Sequence, residues 1–140
     1  MSPVYRRELY SLQGSGPILD MQAGMPIELR SQLRKQQKII PDSIKIVAQV
    51  DTGASTTCIK AGLPAKLGLA PVGVQMIHTA STPNVLCDKY LIMFMIPSVN
   101  VCFEIAAIEM QLKNQPIDCL IARDVLCRYQ ARTLLGHWSP

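Results

Sequence analysis

The run Ile44-Lys45-Ile46-Val47-Ala48-Gln49-Val50-Asp51-Thr52-Gly53-Ala54-Ser55 joins two kinds of sequence. Its first seven residues are mostly isoleucine, valine and alanine, the composition of a buried strand. Its last five form a tight turn led by an aspartate and opened by a glycine. A strand that ends in Asp-Thr-Gly holds a carboxylate at the mouth of that turn. The triplet occurs once in the 140 residues.

Outward from this run, the composition describes one domain of ordinary size. Apolar residues make up 49% of the chain and aromatics only 5%, so the core must be aliphatic and methionine-rich. The β-branched residues cluster in short runs, which points to a mostly-β fold. No run approaches the roughly 20 apolar residues of a membrane span. Arg6 and Arg7 have no apolar run behind them, which argues against a signal peptide. The five cysteines, at 58, 87, 102, 119 and 127, are odd in number and lack a Cys-x-x-Cys spacing. That pattern fits reduced thiols and a cytoplasmic setting better than a disulfide framework. Net charge is +4, and half of the basic residues precede the Asp51 motif. The stretch Arg30 to Lys38 carries no interleaved aromatics, so it reads as a solvated helix face, with no nucleic-acid partner expected.

The chain divides at Gly14-Ser15-Gly16-Pro17 into an N-terminal arm, residues 1–16, and a domain, residues 17–140. Ile18 to Ala23 alternates weakly, as a strand would. Pro26 opens a helical pattern (Ile27, Leu29 and Leu33 among charged residues) that should stop before Pro41-Asp42. Cys58-Ile59 follows the motif, and Leu63 to Leu69 contains a short amphipathic turn ended by Gly68. Val74 to His78 reads as a strand with Tyr90 to Ile96 as its partner, joined across the polar segment Thr79 to Asn84. Val99 to Met110 and Ile117 to Ala122 read as further strands, Arg123 to Tyr129 as a short helix, and Thr133-Leu134-Leu135 as a final strand.

A second element, Ile117-Asp118-Cys119-Leu120-Ile121-Ala122-Arg123-Asp124-Val125-Leu126, changes the weight of the motif. With Asp51-Thr52-Gly53-Ala54-Ser55 it makes the chain resemble the retropepsin-like aspartic peptidases, most of all their single-domain bacterial members. The resemblance covers about residues 17–130. It implies a closed β-barrel-like acid-protease fold with one or two short helices, active as a two-fold homodimer, with no metal and no cofactor. In that family an apolar strand runs into Gly-Arg-Asp or Gly-Arg-Asn and a short helix packs under the active-site loops. A hairpin in the position of His78 to Tyr90 serves as the flap over the substrate. The sequence departs from the pattern in places. Ala122 stands where the family has glycine. The flap region has no glycine and contains Pro83. Ser55 stands where Arg123 would have an acidic partner. The C-terminal Leu134 to Pro140 differs from the family's final strand.

The chemistry implied is peptide hydrolysis by water. It needs a base for the water and an acid for the departing amine. Two close carboxylates sharing one proton supply both, because they cannot both ionise. A chain with one motif must obtain the second carboxylate from another copy. The expected catalytic residues are therefore Asp51, Thr52 and Gly53: Asp51 carries the carboxylate, Thr52 braces the two loops, and Gly53 frees space and backbone N–H groups. The expected substrate-binding residues are Ala54, Ser55, His78, Thr79, Ala80, Ser81, Ile121 and Ala122. The substrate would be an extended peptide or protein segment bound as an added strand, and activity should favour acidic pH.

Other readings of the same residues are weaker. Asp118 and Asp124 read as helix-capping residues or ion-pair partners of Arg123 rather than as a second catalytic carboxylate. Cys58 lacks a local base to serve as a nucleophile, and His78, Cys87 and Cys119 lack zinc-ligand spacing. The alternative of a different class is a catalytically silent module of the same fold, binding extended peptides or mediating dimerisation.

Overall fold

The computed structural model describes residues 17–78, 84–112 and 116–128. Seven strands are present: β1 (Ile18–Gly24), β2 (Ile44–Val50), β3 (Cys58–Lys60), β4 (Gly73–Ile77), β5 (Val85–Ile96), β6 (Val101–Met110) and β7 (Cys119–Ile121). Among the described residues three α-helices accompany them, α1 (Ile27–Lys35), α2 (Leu63–Lys66) and α3 (Arg123–Leu126), with one 3-10 turn at Pro97–Val99. The strands lie in the order β1-β2-β7-β3-β6-β5-β4. Pairing of β1 with β5, through Gln22–Met95, Ala23–Phe94 and Gly24–Met93, closes the first six into a barrel. Of the described strands only β4 lies outside it, as the outer arm of a hairpin with β5. Closure matters because it leaves the six barrel strands without an open edge.

Alternation fills the interior. Leu19, Met21 and Ala23 of β1 and Ile46, Ala48 and Val50 of β2 all face the core. Ile92, Phe94 and Ile96 of β5 meet Phe103, Ile105 and Ala107 of β6. The two phenylalanine rings pack in a tilted arrangement, with centroids 5.7 Å apart. Apart from this pair and Tyr90, the main core cluster is built of aliphatic residues, methionine and cysteine. Among the described residues no helix is long and apolar enough to cross a membrane.

The helix opened by Pro26 stops before Pro41, as expected, but its end at Lys35 is made in an unexpected way. Gln37 takes a left-handed conformation (φ 56°), and the N–H groups of Gln37 and Lys38 bond back to the carbonyls of Arg34 and Leu33. That is a Schellman stop. It escapes a reading for glycine because glutamine occupies the position. The first N–H of α1, on Ile27, is capped by the Glu104 carboxylate at 2.8 Å, from a strand 77 residues away.

The partner of β4 also differs. Tyr90 to Ile96 has one edge bonded to β6, and Met93 to Met95 on its other edge is taken by β1. β4 therefore pairs with the first half of β5, from Gly73–Lys89 to Ile77–Val85. Finally, the expected Ile117 to Ala122 strand is ordered as a strand only over Cys119–Ile121, and the expected Arg123 to Tyr129 helix over Arg123–Leu126. The arm at residues 1–16, Thr79 to Ser81, Pro83 and the final strand at Thr133 to Leu135 lie outside the described residues.

Candidate functional site: the Asp51 loop

The loop that carries Asp51 is fixed at both ends by strand pairing. β2 runs parallel to β7, with Val50 beside Ile121. The Asp51 N–H continues that ladder to the Ile121 carbonyl at 2.8 Å. The two segments singled out in the sequence are thus neighbours in the sheet, although about seventy residues apart. At its far end the loop passes into β3, which lies between β6 and β7.

Within the loop, the Gly53 N–H donates to Asp51 Oδ1 at 3.0 Å, and the Ala54 N–H to the Asp51 carbonyl at 3.3 Å. A Cβ on residue 53 would stand 3.3 Å from Asp51 Oδ1, tighter than ordinary contact. Glycine is required here for a close approach rather than for a left-handed backbone. Asp51 and Ala54 are half-buried, while Thr52, Gly53 and Ser55 are exposed. The carboxylate therefore sits at the surface of the barrel end, oriented by a backbone N–H.

Beneath the loop lies a polar network that the sequence reading missed. Thr57, only 1% exposed, donates its N–H to Asp124 Oδ2 at 2.9 Å and its hydroxyl to Asp124 Oδ1 at 2.7 Å. The same hydroxyl accepts the Ala122 N–H at 3.2 Å. A buried hydroxyl and a largely covered carboxylate each cost free energy unless bonded, and here each satisfies the other. Asp124 also accepts the Val125 N–H at 2.9 Å, so it does brace the start of α3. It does not pair with Arg123. That arginine instead donates its backbone N–H (3.1 Å) and its Nε (3.2 Å) to the Ala54 carbonyl. Asp118 is no helix cap either. Its N–H donates to the Val47 carbonyl at 2.7 Å and its carboxylate accepts the Val47 N–H at 2.9 Å, extending the contact of β7 with β2.

The other expected residues fall on both sides of the loop. Ile121 and Ala122 are buried, at 1% and 0% exposure. Both side chains lie in the buried layer beside the loop. Ala122 has an extended backbone (φ −108°, ψ −173°), open to any residue, so alanine in place of glycine needs no strained conformation. His78 is exposed and follows β4, while Thr79, Ala80 and Ser81 lie outside the described residues. One link from β4 reaches the loop: Gln75 Nε2 donates to Thr56 Oγ1 at 3.1 Å.

The setting of Cys58 disfavours the thiolate that a nucleophile needs. Burial, then the nearby Cys87 thiol and the Asp124 and Asp51 carboxylates, push its pKa up from 9.0 to about 11. A thiol so shifted is almost wholly protonated near neutrality. It packs as a small apolar group, with Sγ 3.4 Å from both the Thr56 carbonyl and Met110 Sδ. Burial pushes Cys119 up as well. Among the described residues no group of three His, Cys, Asp or Glu side chains could hold a metal ion.

No protein-family model and no curated protein matches the sequence. Solved structures do. The EIAV protease complexed with the inhibitor HBY-793 aligns over 82% of this chain and 88% of its own, with a TM-score of 0.50 and 14% identity. A Legionella pneumophila protein of unknown function aligns over 83% and 88%, with a TM-score of 0.47 and 12% identity. The retroviral protease-like domain of Ddi1 from Leishmania major aligns over 81% and 78%, with a TM-score of 0.43 and 15% identity. The first of these likenesses, together with the closed barrel, gives the chain a retropepsin-like fold.

Two predictions follow from the loop's supports. Thr57→Val should lower the unfolding free energy by about 1–3 kcal/mol in urea titrations, because it leaves the buried Ala122 N–H unpaired and removes a bond from Asp124. Thr57→Ser, which keeps the hydroxyl, should lose less. The Cys58 thiol binds its proton more tightly in the folded chain, so its contribution to stability is complete below pH 9.0 and is lost as pH rises through about 11. The urea midpoint of the wild-type chain should therefore fall more steeply across that window than that of Cys58→Ala.

Proposed function

We propose that this chain is an aspartic endopeptidase that acts as a homodimer. The observation that carries the proposal is the single Asp51 carboxylate, held by the Gly53 N–H at the surface of a retropepsin-like barrel. A base for the water and an acid hydrogen-bonded to the carbonyl oxygen are needed at the same moment, so the chemistry calls for two carboxylates. Asp51 of the partner subunit supplies the second across a two-fold axis. Symmetric pairing of identical surfaces is the usual way for identical chains to associate.

In the reaction, one carboxylate takes a proton from water as its oxygen bonds to the peptide carbonyl carbon. The other, protonated, hydrogen-bonds the carbonyl oxygen. The carbon–nitrogen bond then breaks: the departing amine takes the proton that the first carboxylate removed from water, and the carbonyl re-forms as a carboxyl group. General acid–base assistance of this kind contributes about 10²–10⁴-fold in rate. Thr52, exposed at the turn, braces the loop against its symmetry mate. Ala54 and Ser55 line the cleft beside the extended substrate backbone, and His78 stands at the start of the connection between β4 and β5. The substrate adds as a strand, with main-chain bonds giving affinity and side-chain pockets giving preference. Ile77 and Val85, paired across the hairpin, favour apolar side chains near the scissile bond.

The test is Asp51→Asn. The variant should fold and keep the same oligomeric state, while hydrolysis of an unstructured protein substrate falls by at least about 10²-fold. Equal hydrolysis by wild type and folded variant would overturn the proposal.

A further inference from the structure

Among the described residues, β4 is the only strand outside the closed barrel, and its one sheet partner there is β5. A two-stranded hairpin is marginal by itself and needs another anchor to hold one position. The described contacts supply one. Gln75 lies on the inner face of the hairpin, directly opposite Cys87. Its Nε2 reaches Thr56 Oγ1 at 3.1 Å, joining the hairpin arm to the loop that carries Asp51. Thr56 is a firm base for the bond. The next residue, Thr57, is bonded twice to Asp124, and the Thr57 carbonyl accepts the Ile108 N–H at 3.0 Å. Below the bond sits a small apolar cluster of Cys58, Cys87 and Ile108, with Ile77, Met110 and Leu120 around it. The outer face of the hairpin has no comparable cover: Val74, Met76 and Leu86 are exposed there.

We infer that Gln75 is a positioning residue that holds the β4–β5 hairpin at a fixed height over the Asp51 loop through its bond to Thr56. It acts through the hairpin and does not touch the reacting atoms. The Cys58–Cys87 cluster stays covered only while the hairpin is held down. For the reaction, this anchoring fixes the width of the channel that an extended peptide enters, a consequence that rests on the peptidase reading. The anchoring itself does not.

The chain carries its own reporters. Cys58 and Cys87 are buried under the hairpin, Cys119 is buried in the barrel, and Cys102 and Cys127 are exposed. Alkylation with iodoacetamide, read cysteine by cysteine by mass spectrometry, follows each region separately. The full chain carrying Asp51→Asn serves as background, so that hydrolysis plays no part. Gln75→Leu should speed labelling of Cys58 and Cys87 by roughly fivefold, the factor that one neutral hydrogen bond contributes. Thr56→Val should do the same, the double variant should add nothing further, and Thr56→Ser should restore the slow rate. Cys119 labelling should not change. Unchanged rates at Cys58 and Cys87, or an equal acceleration at Cys119, would overturn the inference. With Asp51 intact, Gln75→Leu should raise KM by a similar factor and leave kcat nearly unchanged. If the thiol pattern holds while no hydrolysis is found for the wild-type chain, the peptidase reading fails and the anchoring role stands.

Discussion

The site depends on the parallel pairing of β2 with β7, which sets Val50 beside Ile121. Parallel neighbours cannot be joined by a tight turn, so the chain must travel through most of the barrel before it returns. That return places the Ala122–Asp124 corner directly under the Asp51 loop. Each support then follows from position. The Asp51 N–H finds the Ile121 carbonyl, Arg123 finds the Ala54 carbonyl, and Asp124 finds Thr57. Without the pairing, the buried Thr57 hydroxyl and Ala122 N–H would lose their partners, an arrangement more costly than solvent exposure.

The network also explains why a loop this open can be ordered. Thr52, Gly53 and Ser55 face solvent and pack against little. Order is imposed from beneath, by a buried threonine that donates twice and accepts once. Ala122 fits this scheme without strain, because its role is to present an N–H to Thr57 from an extended backbone. The departure from the family's glycine therefore leaves the geometry under the loop intact.

Much of the barrel was legible because its strands are apolar runs bounded by turn residues. β2, β6 and the core of β7 lie where composition places them. What escaped the sequence was the outcome of contacts between distant residues. Thr57 sits in a polar run, Ser55-Thr56-Thr57, that looks like an ordinary turn, and its partner is 67 positions away. The first half of β5 mixes exposed Leu86 and Asp88 with buried Cys87, so it resembled loop until β4 supplied an edge. The end of α1 was hidden because Gln37, rather than glycine, takes the left-handed position. Asp118 and Asp124 were read as local charges, yet both are long-range acceptors. Apolar patterning marks elements well. Polar satisfaction is decided by three-dimensional neighbours, and the details of the site rest on it.

Under the proposed peptidase function, the single copy of Asp51-Thr52-Gly53 links the chemistry to assembly: a site built on two carboxylates would exist only where two chains meet. The most direct measurement mixes wild-type and Asp51→Asn chains in varying proportions at fixed total concentration, after full subunit exchange. A shared site predicts activity that follows the square of the wild-type fraction, so an equal mixture should retain about a quarter of full activity. Activity that falls linearly, with about half retained in that mixture, would contradict a carboxylate pair contributed by two subunits.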